Sequence, residues 1–135
     1  MNTVDILLGM DRAEFENVNE KSLEIKRLSK KAKQPFMVKI GAIPARRLTK
    51  FLSGTTDKSG QVQMDKAYDA NVNICLAGLI DPSMKEKKLM DGLGCNTPGE
   101  TLEKIFQPNE INMIADAIME LSGFAGNDVV EEVKN

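Results

Sequence analysis

The chain has 135 residues, 41% of them apolar and 28% charged, which fits one folded domain and excludes a disordered, low-hydropathy segment. No apolar run approaches the roughly 20 residues of a membrane span. Residues 1–16, MNTVDILLGMDRAEFE, carry acids where a secretory signal has Lys or Arg, so a signal peptide is excluded too and the cytoplasm is the expected location. The net charge is only −2 but uneven: residues 1–55 hold eleven Lys+Arg against six Asp+Glu, residues 56–135 seven against fourteen. Such asymmetry can orient a partner or a neighbouring subunit.

Val4, Leu7 and Leu8 sit at helical spacing, with Thr3 as N-cap and Gly9 as stop, predicting a short first helix. Residues 12–21 are polar and read as a connector. Period-two alternation follows. Leu23 and Ile25 alternate with Glu24 and Lys26; Phe36, Val38 and Ile40 alternate with Met37 and Lys39. This predicts a β-hairpin whose strands are joined by a polar loop over residues 29–34. A lone hairpin is marginal in water, so its apolar face needs a cover.

The helices supply that cover. Pro44 suits the first turn of a helix over residues 45–52, with Leu48, Phe51 and Leu52 inward and Gly54 as stop. Residues 55–63 are a polar loop turning at Ser59-Gly60, the expected flexible insertion. A long helix over residues 64–80 is predicted from the stripe Tyr68, Val72, Cys75, Leu76 and Leu79. Asp81 and Pro82 are expected to open a short helix with Met84, Leu89 and Met90 inward, ended by Gly92 and Gly94. Thr97 and Glu100 form a capping box for the next helix, which carries Leu102, Ile105 and Phe106. The last helix shows the stripe Ile111, Ile114, Ala115 and Ile118, closed by Gly123. The expected architecture is α+β: an N-terminal β-hairpin packed on a bundle of about five helices. Residues 1–124 are expected to form a single globular domain and residues 125–135 an acidic, flexible C-terminal tail.

The search for reaction chemistry comes back empty. There is no histidine, so the usual acid–base side chain is missing. Asp65/Asp69 and Asp116/Glu120 share helix faces but read as solvated surface. No phosphate-binding glycine loop and no nucleophile elbow are present. Cys75 and Cys95 lack metal-ligand spacing and read as buried thiols. No catalytic, cofactor-binding or metal-binding residue is assigned, and the chain is read as a non-enzyme. Two features suit binding. Lys26, Arg27, Lys30, Lys31 and Lys33 form a basic cluster at the expected hairpin tip. Met10, Met37, Met64, Met84 and Met113 are spread along the chain, and flexible methionines serve adaptable surfaces as well as cores. A basic ribbon can enter a DNA groove, but acidic overall charge and few aromatic residues weigh against nucleic acid.

In order along the chain stand Leu8-Gly9-Met10-Asp11, the strand Glu24-Ile25-Lys26-Arg27-Leu28-Ser29, a Pro-Phe second strand, and a helical region. Ile118-Met119-Glu120-Leu121-Ser122-Gly123-Phe124 then precedes an acidic tail ending Glu132-Val133-Lys134-Asn135. With these, the chain resembles the XkdN-like tail assembly chaperones of phages and prophages with Gram-positive hosts. The resemblance spans nearly the whole chain. It implies a non-catalytic assembly factor in the host cytoplasm, absent from the finished virion. Such a factor binds the tape measure protein and keeps it soluble while tail tube protein polymerises around it. It also implies short and frameshift-extended forms. The partner-binding residues expected are Lys26, Arg27, Lys30, Lys31 and Lys33 of the hairpin and Val129, Val130 and Val133 of the tail. Self-association is left open. The competing readings are a head–tail connector or tail terminator, and a small DNA-binding regulator.

Overall fold

The computed structural model describes residues 2–15 and 19–124. Among these, seven α-helices and one three-stranded antiparallel sheet form an α+β fold. The chain runs α1 (Thr3–Leu8), a 3-10 turn (Arg12–Phe15), β1 (Glu20–Glu24), α2 (Lys26–Ala32), β2 (Met37–Gly41) and α3 (Ala45–Leu52). It continues α4 (Met64–Gly78), β3 (Leu79–Asp81), α5 (Lys87–Leu93), α6 (Pro98–Ile105) and α7 (Pro108–Leu121).

The alternation in β1 and β2 is borne out, and the two strands pair antiparallel with Leu23 opposite Val38 and Lys21 opposite Ile40. Val38 and Ile40 are buried, whereas Met37 and Lys39 are exposed. The connection is the first correction. Residues 26–32 are a helix, not a polar loop. Ser29 N–H donates to the Ile25 carbonyl at 2.9 Å, a helical bond, and Lys33 closes the helix in the left-handed region at φ 58°. Lys and Ala favour helix here, and Leu28 packs against the core to hold it. The strand that alternation extended through Lys26 therefore ends at Glu24.

The second correction is a third strand. The helix predicted over residues 64–80 ends at Gly78, and Leu79–Asp81 pairs with β2. Leu79 satisfies the helical stripe and the strand face equally, so periodicity could not separate a last helical turn from a three-residue strand. The helix expected to open at Asp81-Pro82 begins instead at Lys87, with Glu86 at its N-cap; Met84 is buried ahead of it. Smaller corrections concern caps. Asn2, not Thr3, caps α1 by accepting the Asp5 N–H at 2.9 Å, and Pro44 lies at the N-cap of α3 rather than in its first turn. Thr97 Oγ1 accepts the Glu100 N–H as expected, but the Glu100 carboxylate reaches the Asn96 N–H. Residues 55–63 turn back as a small hairpin, with Thr56 bridged to Val62 and the Asp57 carboxylate accepting from Ser59 and Gln61.

The core lies where α4 and α7 cross beneath the sheet. Ile111, Ile114, Ala115 and Ile118 of α7 are all buried, as their stripe predicts. On α4 the most deeply buried side is Ala70, Ile74, Cys75 and Gly78, while Tyr68, Val72 and Leu76 are half-buried. The helix is covered on more than one side, by α7, α3 and α6, so one stripe does not describe it. Gly78 marks the closest approach. A Cβ there would lie 2.5 Å from Ile118 Cδ1.

A groove between the sheet edge and the last helix

Sheet order is β1-β2-β3, which leaves β1 as an edge. Asn19 pairs with Ala42, and Ile25 with Phe36, through hydrogen bonds of 3.1 and 3.0 Å. Antiparallel ladders alternate, so odd-numbered residues of β1 bond to β2 while the N–H and C=O groups of Glu20, Ser22 and Glu24 point to the open side. The same parity turns Leu23 and Ile25 toward α7 and puts Glu20 on the outer face, where it meets Lys39 at 2.8 Å.

Beneath this edge runs a groove of about 460 Å³ between β1 and α7. Leu23, Ile25, Met113, Ile114 and Ala117 give it an apolar floor; Glu24, Lys26, Arg27, Asn109 and Glu110 form one end and the rim. A smaller hollow of about 200 Å³, lined by Asn19, Lys21, Ala117, Glu120 and Leu121, lies farther along the same two elements and shares Ala117. Met113 is 70% exposed on the groove wall. Of the five methionines noted in the sequence, Met84 alone is core; Met10, Met37, Met64 and Met113 are exposed.

Both ends of α7 are tied down, which fixes the groove walls. At its start, the Arg27 guanidinium donates to Glu110 through Nε (3.1 Å) and Nη2 (2.9 Å), and Nη2 also donates to the Ile105 carbonyl at 2.7 Å. Glu110 in turn accepts the Gln107 N–H at 2.8 Å, capping α7. At its end, Ser122 Oγ accepts the Ile43 N–H at 2.9 Å and donates to the Ile118 carbonyl. Arg27, one of the expected partner-binding cations, is thus held in an ion pair at the start of α7. Lys26, Lys30, Lys31 and Lys33 are exposed, but on and just after a helix, not at a hairpin tip. Val129, Val130 and Val133 lie outside the described residues.

The ion pair carries a pH signature. Arg27 holds the Glu110 carboxyl below the ordinary glutamate value, chiefly through its hydrogen bond, with the Gln107 N–H acting the same way against partial burial. A depressed folded-state pKa contributes stability above the unfolded value and loses it as pH falls through the folded one. Thermal melting of the wild type is therefore expected to drop from about pH 4.5 downward. Arg27→Gln should flatten that part of the profile and cost less at neutral pH than a core truncation. Melting followed by circular dichroism across pH checks both.

Among the described residues no cluster of His, Cys, Asp and Glu could hold a metal ion. The buried Cys75 thiol is pushed up to about 12 by desolvation and donates to the Ile111 carbonyl, so it is no nucleophile. Among the described residues, no helix is long and apolar enough to cross a membrane.

The fold has a counterpart in the crystal structure of the protein YqbN. The two superpose with a TM-score of 0.56 over 86% of this chain and 98% of that one, at 17% sequence identity. No curated protein sequence gives a significant match. The model of the phage XkdN-like tail assembly chaperone protein family matches residues 4–134, almost the whole chain. The chain therefore belongs to the phage XkdN-like tail assembly chaperone family, whose role is non-catalytic.

Proposed function

We propose that this protein binds the tape measure protein in the host cytoplasm and keeps it soluble until tail tube subunits assemble around it. The observation that carries the reading is the groove itself. It is an open, apolar channel at a sheet edge, with an exposed methionine on its wall, in a chain of a tail assembly chaperone family. Such a groove covers the apolar stripe of an amphipathic helix, or takes an extended segment that adds to the β1 edge. Met113 can repack against unlike sequences, which suits a client presenting many similar segments. Lys26 of α2 lines one end of the groove and meets acidic residues flanking a client stripe. No covalent step is involved, so release needs only competition from tube subunits.

The test is co-expression with the tape measure protein, followed by pull-down and measurement of its soluble fraction. Wild type should retain and solubilise it. Met113→Asp with Ala117→Asp should lower retention by about tenfold or more. Met64→Asp, at a more exposed position that does not line the groove, should not. The reading fails if wild type forms no complex, or if the groove variant binds as well as wild type.

A further inference from the structure

Residues 2–15 contribute nothing to the core just described. Every one of them is exposed, and no residue of α1 is buried. Val4, Ile6, Leu7, Leu8, Met10 and Phe15 make up half of the twelve large apolar side chains that are exposed among the described residues. Leu8 is 78% exposed. A soluble chain that concentrates apolar surface in one short segment has a partner for it.

The groove between β1 and α7 is lined by none of these residues. We infer that residues 2–15 are an exchanged arm. Each arm docks in the groove between β1 and α7 of a second copy, and the two copies close a two-fold dimer. The charges match. The arm carries Asp5, Asp11 and Glu14 against a single Arg12, while the groove end carries Lys26 beside Glu24, with Lys30 and Lys31 farther along α2. Arg27 adds nothing here, because Glu110 already neutralises it. The dimensions also match. A six-residue helix is about 9 Å long and lies within the roughly 17 Å of a five-residue strand. The arm precedes β1 in the sequence, and reciprocal exchange between two copies satisfies both without open-ended growth.

Direct pairing of two β1 edges is the rival dimer, and charge opposes it. Antiparallel pairing centred on Ser22 sets Glu20 opposite Glu24 twice. The arm, by contrast, covers the edge with apolar side chains. It also occupies the surface proposed for the client, so a client would have to displace it. The inference does not depend on what the client is, and its test contains no client.

Sedimentation equilibrium of the full chain provides the test. Wild type should show a monomer–dimer equilibrium. Leu8→Asp in the arm and Met113→Asp in the groove should each weaken it by about tenfold or more. Both positions are exposed, so folding should be intact, as circular dichroism checks; Leu8→Ser serves if Leu8→Asp is unfolded. An equimolar mixture of the two variants should associate more tightly than either alone, because one sound arm meets one sound groove. A wild type that stays monomeric throughout overturns the inference, as docking of the arm on its own subunit would show. So does a dimer that neither variant weakens, or a mixture that associates no better than its components.

Discussion

Gly78→Ala is expected to destabilise the protein, although the same change in an exposed helix is stabilising by about 1 kcal/mol. The added Cβ would lie 2.5 Å from Ile118 Cδ1, 2.8 Å from Cγ2 and 2.9 Å from Cγ1. Three atoms of one side chain are too close, so a single rotation of the Ile118 tip does not relieve the overlap. Ile118 is fully buried, which leaves it little room to move. Overpacking of this kind costs about 1–3 kcal/mol, enough to reverse the propensity gain, and Gly78→Val should exceed Gly78→Ala. The cost falls on the crossing of α4 and α7, the largest helix–helix interface in the fold. Adding Ile118→Val to Gly78→Ala should recover part of the loss, so the two changes will not be additive. Urea denaturation of these variants and of Ile118→Val alone measures this. A Gly78→Ala protein as stable as wild type would mean that the helices do not approach as described.

Ile40→Ala should cost about 2–5 kcal/mol, a large share of the 5–15 kcal/mol that holds a typical domain together. Ile40 is fully buried in β2, opposite Lys21 on one side and Leu79 on the other. Its side chain belongs to the core cluster formed with the buried face of α7. Truncation leaves a void at the point where sheet and helices meet, and the ladder on both sides limits collapse. Met37, on the opposite face of the same strand, is 49% exposed. Met37→Ala should change stability by less than about 0.5 kcal/mol. Denaturation midpoints of the pair test the alternation itself. Equal losses would mean that β2 is not half-buried.

The contrast between these residues shows what the sequence makes legible. Alternation around Val38 and Ile40 and the stripe on α7 are local patterns, and each maps onto one buried face. The helix over residues 45–52 is equally local and appears with the expected bounds. Where two patterns coincide, the reading goes astray. Leu79 fits helix and strand at once, and Ile25 and Leu28 fit a strand end as well as the first turn of a helix. On α4 the stripe named Tyr68, Val72 and Leu76, but Ile74 and Ala70 are buried more deeply because the helix has neighbours on several sides.

The groove was less visible still, because it exists only through tertiary placement. The open edge of β1 depends on sheet order, and the clamp joins Arg27 to Glu110 across 83 positions. One local signal was available: Met113 and Ala117 stand four apart on α7, outside its core stripe, and so mark a second apolar flank. In the basic run at residues 26–33, Arg27 is paired with Glu110, and the lysines lie exposed on and just after α2.

The central claim is that tape measure segments are held between β1 and α7. Site-specific photo-crosslinking in cells producing both proteins tests it most directly. A photoreactive residue at position 113 should give an adduct with the tape measure protein, and one at position 64 should not. Adducts from position 64 but not 113, or none from either while the tape measure protein stays soluble, would contradict the account.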